Sequence, residues 1–436
     1  MRHTNFFRLT FVMVLLIGLI PVTLVQAQDC EPIVVAIWSS PEHENLIATS
    51  QVYMDATGCE VIIEEIAREA YYDKLTTTLL AGGTDYDVMY TMTDWIPEWV
   101  GAETLQPLDE LFNDEAIVGE IFSLENISPT IDTLSVDGVP YGFPSEGDTA
   151  WMFYRKDLLA EAGLDVPQTW DEFLAAAQAM HTDEVYGAVI GAKPDEAVWD
   201  FMHYLFAFGG GILDEDNNVI VNSEEAVAAL TFYAGLATEH ALVPPDVVTY
   251  GYNEILTTLQ EGKAALGVEW MAATQSLQDC EQSPKVCIDG EPQLDYALIP
   301  GIALEDGTIQ RGQGASQWGW SIPASSENKA DAYKFIEWLT SVEGAVIWAL
   351  NGGIPSNNVA LAAPEVVAII PQFALLAEAM PYRNLFPANP VTPIMVNAFN
   401  DAVNSTVAGV IEPQAALDEA AAIMEEALID AGLLSE

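Results

Sequence analysis

Basic residues are nearly missing from this chain. Its 436 residues hold 13 Lys and Arg against 66 Asp and Glu, for a formal charge of −53. An acidic skin of that strength repels phosphate backbones and anionic headgroups, which excludes nucleic acid and membrane surfaces as partners. Half of the residues are hydrophobic, so the chain is a folded acidic protein and not a disordered one. Catalytic constellations are missing too. His43, His181, His203 and His240 are scattered, with no H-E-x-x-H spacing to hold zinc. Gly314-Ala315-Ser316-Gln317-Trp318 lacks the final glycine of a nucleophile elbow. Glu146 and Asp148 could pair as glycosidase carboxyls, but among 66 acids some pair always looks suggestive. No cofactor and no metal is implied.

One stretch imitates a calcium loop. Asp214, Asp216, Asn218, Ile220 and Glu225 occupy its ligand positions, but Val219 stands where the sharp turn needs glycine. A polar turn, a short strand and a helix capped at Asn222 or Ser223 is the better reading.

Cysteine is scarce, with four in all. Cys30 precedes the expected strand Ile33–Trp38 and Cys59 the expected strand Glu60–Ile66. If those strands are parallel neighbours, both thiols lie at one sheet end. Cys280 and Cys287 flank a short polar loop. Disulfides Cys30–Cys59 and Cys280–Cys287 are expected, in an oxidising compartment.

Residues 1–27 supply that compartment. Arg2 and Arg8, the apolar run Phe11–Ile20 and Val25-Gln26-Ala27 read as an export leader cleaved near Ala27. Pro21, Thr23 and Gln26 break the run short of the ~20 residues of a spanning helix. Asp29 before Cys30 spoils a lipidation site, so the product is expected periplasmic or extracellular and free of lipid. No later run is long enough to span a membrane.

Without the leader, the chain is too long for one core and suits two. Short β-rich runs alternate with amphipathic helices, the pattern of an α/β fold. Ala332, Phe335, Ile336 and Leu339 make one helical stripe, and Leu417, Ala421, Met424 and Leu428 another. Thr169, with Glu172 three residues on, is a capping box. No repeat or low-complexity linker marks independent domains.

The residues that carry a resemblance run from Asp137 to Phe173, DGVPYGFPSEGDTAWMFYRKDLLAEAGLDVPQTWDEF. They match G-x-x-Y-G-x-P, then Y-[NR]-K-D-L-[LF]-x-x-A-G-L, then P-x-T-W-[DE]-E. Ile33–Leu46, Tyr71–Trp95, Val221–Tyr233, Glu261–Trp270, Trp318–Ser341 and Gly352–Ser356 continue the likeness in order. This resembles the extracellular solute-binding proteins of sugar ABC importers, the group related to maltose- and trehalose/maltose-binding proteins. The resemblance implies a two-lobed periplasmic-binding-protein-like fold, with a hinge and an interlobe ligand cleft. Lobe one is expected over 29–143 plus 305–350, and lobe two over 144–304 plus 351–436. It also implies a monomer with no enzymatic activity that hands a sugar or oligosaccharide to a membrane permease.

Aromatic planes suit the C–H face of a sugar ring, and carboxylates accept from its hydroxyls. Most tryptophans, including Trp170, Trp338 and Trp348, are expected in the core. Trp95 is not, because it follows Asp94 where a strand ends. Carried over position by position, the resemblance implies a site of Trp38, Glu42, Asp94, Trp95, Asp148, Tyr154, Trp270, Trp318 and Arg383. Trp320, beside Trp318, joins the candidates. Two other classes remain open: a polyamine binder, since a Trp/Asp box also suits a cation, and a secreted glycan hydrolase.

Overall fold

The computed structural model describes residues 30–119, 126, 130–214 and 216–435. The expected leader, residues 1–27, lies outside them. Among the described residues nine strands form one sheet: β1 (Ile33–Trp38), β2 (Val61–Ile66), β3 (Val88–Met92), β4 (Phe143–Arg155), β5 (Tyr186–Val189), β6 (Ala264–Trp270), β7 (Leu294–Ala297), β8 (Gln313–Ser321) and β9 (Arg383–Leu385). The order is β2-β1-β3-β8-β4-β6-β5, with β7 added to β4 and β9 to β8. β1 runs parallel to β2 and β3, and β5 parallel to β6. β4 and β8 pair antiparallel between these two groups.

Apolar runs explain the two groups. β3 and β6 are buried at every residue, as strands covered by helices on both faces should be. One core gathers side chains from residues 33–143 and 320–348, and a second gathers residues 150–299 and 349–428. Ala332, Phe335, Ile336 and Leu339, on the helix Lys329–Thr340, enter the first. Leu417, Ala421, Met424 and Leu428, on the helix Pro413–Asp430, enter the second. Trp170, Trp338 and Trp348 are buried. Thr169 caps the helix Trp170–Met180 through a complete capping box with Glu172.

β4 and β8 are long because each crosses from one core to the other. Residues 143–149 of β4 pair with β8, whereas Ala150–Tyr154 pair with β6. Gly319 allows β8 to approach β4 at a register shift. A Cβ there would meet the Phe143 carbonyl oxygen at 2.6 Å. Gly312 backs onto Phe206 and Gly314 onto Met202, both on the second side. The crossing falls inside a continuous strand, where no turn residue marks it.

Both disulfides form as expected, Cys30–Cys59 and Cys280–Cys287. The first closes because β1 and β2 are parallel neighbours in register, Ile33 opposite Val61. The calcium-like stretch is a polar turn. The Asp214 carboxylate accepts from the backbone N–H groups of Asp216 and Asn218, and Ser223 caps the helix Glu224–Thr238. Among the described residues no acidic or histidine cluster could hold a metal ion, and no helix could cross a membrane.

Candidate ligand-binding site

A cavity of about 430 Å³ lies where the two cores face each other. The carboxyl ends of the parallel strands converge on it, as is general in open α/β sheets. Trp38 ends β1, Asp94 and Trp95 form the turn after β3, and Trp270 ends β6. Asp148 and Trp318 project from the middles of β4 and β8. Glu42 sits in the first turn of α1 (Pro41–Thr57). All seven line the cavity.

Its aromatic wall is one packed block. Trp318 stacks on Trp38 at 5.4 Å and 5° and on Tyr90 at 4.7 Å, and meets the edge of Trp95 at 5.4 Å. Across the cavity, Trp270 stands edge-on to His203 at 4.7 Å. Burial pushes the His203 imidazole down to about 3, so it stays neutral.

The carboxyls are buried and short of partners. Glu42 Oε2 and Asp94 Oδ2 are enclosed and make no hydrogen bond among the described residues. Burial alone pushes Asp94 up to about 8. Burial raises Glu42 as well, against the pull of the Ser40 hydroxyl. Asp148 is raised well above the usual carboxylate range by burial, then by the charge of Glu42. The Thr149 N–H and the Arg383 guanidinium oppose this. Such groups are costly unless something donates to them.

Three expected residues fall elsewhere. Tyr154 pairs with Leu266 and Asp295 near the far end of β4. It is six residues beyond Asp148, roughly 20 Å along an extended strand. Trp320 is fully buried in the first core, against Tyr90 and Trp348. Arg383 lies behind the wall, where its Nη2 donates to the Asp148 and Ser316 carbonyls at 3.1 and 3.3 Å.

Conversely, the cavity recruits residues that are not among the candidates: Arg68, Tyr71, Tyr90, Glu196, Trp199 and Tyr252. Arg68 opens α2 (Arg68–Leu80). A cation in the first turn opposes the helix dipole, and that misfit is the one cue the sequence offered. Glu196 immediately precedes the helix Ala197–Ala207 on the second side.

Residues 41–346 match the family described as bacterial extracellular solute-binding protein. The chain belongs to that family. It is a family of binding proteins, not of enzymes. The mannitol-binding protein of Pseudomonas aeruginosa is 26% identical over 330 residues, 72% of this chain and 70% of its own. The structure of maltose-bound T. maritima MalE3 superposes with a TM-score of 0.80 at 26% identity, covering 91% of this chain and 99% of that one. An Agrobacterium radiobacter solute-binding protein in complex with ribitol gives 0.79 at 25% identity, covering 91% and 98%. This solute-binding protein thus shares the two-lobed architecture of those structures, and its cavity lies between the lobes.

Proposed function

We propose that this protein captures a neutral sugar or polyol between its lobes and delivers it to the permease of an ABC importer. One observation carries the reading. Aromatic faces from the Trp38–Trp318 block and buried acceptors with free oxygens, Glu42 and Asp94, meet in one cavity. The C–H groups of a sugar ring or an open polyol pack on the former, and hydroxyls donate to the latter. The volume lies within the ~300–1,000 Å³ typical of small-molecule sites. Relatives named for mannitol, and structures holding maltose or ribitol, support the same class.

The acids are no argument for a polyamine. Seven carboxylates and one guanidinium line the cavity, but the whole chain has 66 acids to 13 bases. The cavity is as acidic as the rest of the protein. In this reading the lobes hinge where β4 and β8 cross, and Trp38, Glu42, Asp94, Trp95, Asp148, Trp270 and Trp318 contact the ligand. The protein is exported, cleaved near Ala27 and not lipidated.

Calorimetric titration with mannitol, ribitol, maltose and spermidine, at low and high salt, tests this. Saturable binding of a hydroxylated ligand with little salt dependence is expected, because a neutral solute has no charge to screen. Binding of spermidine alone, weakening steeply with salt, would overturn the proposal.

A further inference from the structure

Among the described residues Arg68 is the one cation lining the cavity, and the opposite lobe holds it. Its Nε lies 3.0 Å from Glu196 Oε2, with side-chain exposures of 17% and 10%. The guanidinium carbon sits 3.7 Å above the Trp38 ring, and 5.1 Å from the ring of Tyr252 on the second lobe. Trp318 already stacks parallel on Trp38. Two objects of van der Waals thickness cannot share one face of an indole, so Trp38 is held between Trp318 and Arg68.

Glu196 is in turn fixed from its own lobe. Lys193 Nζ donates to Oε1 at 2.8 Å, and the Tyr252 backbone N–H donates to Oε2 at 3.3 Å. Burial would raise this carboxyl, yet the charges of Arg68 and Lys193 hold it below the ordinary range. One donor is left over. Arg68 Nη1 is enclosed at the cavity and has no hydrogen-bond partner among the described residues.

We propose that Arg68 is a specificity-determining residue whose placement depends on closure: Glu196 clasps it across the cleft, and Nη1 donates to an acceptor oxygen of the ligand. The inference rests on the cavity being the sugar or polyol site. Its logic is differential contact. The Arg68–Glu196 bond exists only when the lobes meet, so the clasp favours the closed form, and the ligand gains a pre-aimed donor only there. Arg suits the part because its planar fork can stack on an indole and bond sideways at once.

Small-angle scattering and calorimetry on Glu196→Gln, Arg68→Gln and Arg68→Lys test it, after thermal melting confirms that each is folded. Without ligand, both Gln variants are expected to scatter with a larger radius than wild type. Both should weaken whichever of mannitol, ribitol or maltose binds wild type, by roughly thirtyfold or more, as loss of one partner of a buried charge pair does. Arg68→Lys is expected to restore the radius, since it keeps the charge, but not the affinity, since it lacks Nη1. Should Arg68→Gln fail to fold, Glu196→Gln decides the clasp and Arg68→Lys the donor. Wild-type radii in the Gln variants overturn the clasp, and wild-type affinity in Arg68→Lys overturns the donor. If none of the three probes binds wild type, the ligand class fails, while the scattering still judges the clasp.

Discussion

Trp38 and Trp318 lie parallel, 5.4 Å apart, although one ends the first strand and the other sits in the middle of β8, two strands along in the sheet. The contact joins the rim of the first lobe to a strand shared by both lobes. It turns the expected separate stacking platforms into one rigid block, braced by Tyr90 behind and Trp95 at the edge. A ligand that packs on this block meets side chains with little rotamer freedom left to lose.

Trp318→Ala is therefore expected to cost more than one stacked ring. Removing it takes away a wall of the cavity and the support of Trp38 together. Binding should weaken by more than the about 1–3 kcal/mol of a single stacked ring, with a lower melting temperature besides. Trp318→Phe should recover most of the stability and part of the affinity. Calorimetry and thermal melting of the pair would show it; equal affinity in Trp318→Ala and wild type would refute the block as a binding surface.

Asp94 makes a prediction about pH. Its carboxyl is held at about 8 by burial, against an unfolded value near 3.9. Between those values the unfolded chain has lost this proton and the folded chain keeps it. Stability attributable to Asp94 therefore falls as pH rises from about 4 to 8, and is flat on either side. Asp94→Asn removes the proton and the dependence. Relative to wild type it should raise the melting temperature progressively from pH 4 to pH 8, while weakening ligand binding because an NH2 donor replaces one carboxyl oxygen. A stability gain that is the same at both pH values would show that Asp94 does not titrate this way.

Local signals and tertiary ones differ in how far the sequence made them legible. Ile33–Trp38, the Thr169–Glu172 capping box and the stripes of the two late helices were readable, because periodicity and capping are local. The Cys30–Cys59 pairing was readable because it needs only two parallel neighbours. Trp38, Glu42, Asp94, Trp95, Asp148, Trp270 and Trp318 came from a resemblance, and the fold brings them to one cavity. Trp320 misled because it shares a face with Trp318, both packing on Tyr90, but two residues further along β8 that face lies inside the first core. Tyr154 misled because it shares a strand with Asp148, and that strand is long enough to leave the cleft. Arg68, Glu196 and Tyr252 meet only through tertiary packing of two lobes, which no window of sequence contains.

The two disulfides should differ in weight. Cys30–Cys59 spans 29 residues and Cys280–Cys287 spans seven. In the chain-entropy account, the longer loop constrains the unfolded state more, contributing about 3.6 kcal/mol against about 2.4 for the shorter. Replacing Cys30 and Cys59 by Ala should lower the melting temperature more than replacing Cys280 and Cys287. The reverse order would mean that strain or residual structure outweighs loop entropy here.

Trp270 and Tyr154 provide the sharpest comparison, because one resemblance nominated both and the structure separates them. Trp270 ends β6 from the second lobe, is almost wholly buried, and faces the Trp38–Trp318 block across the cavity. Its neighbour His203 is neutral at any working pH, so the contact carries no charge for salt to screen. Trp270→Ala should weaken binding by about 1–3 kcal/mol, to the same extent at low and high salt. It should also reduce ligand-induced compaction, because a ring supplied by one lobe to a ligand seated on the other favours only the closed form. Tyr154 pairs with Leu266 and Asp295, away from the cavity. Tyr154→Ala should lower stability through lost packing and leave affinity at the wild-type value. Titrations of both variants with the probe that binds wild type would decide it. Equal losses would return Tyr154 to the site, and an unchanged affinity in Trp270→Ala would remove the second lobe's aromatic contribution.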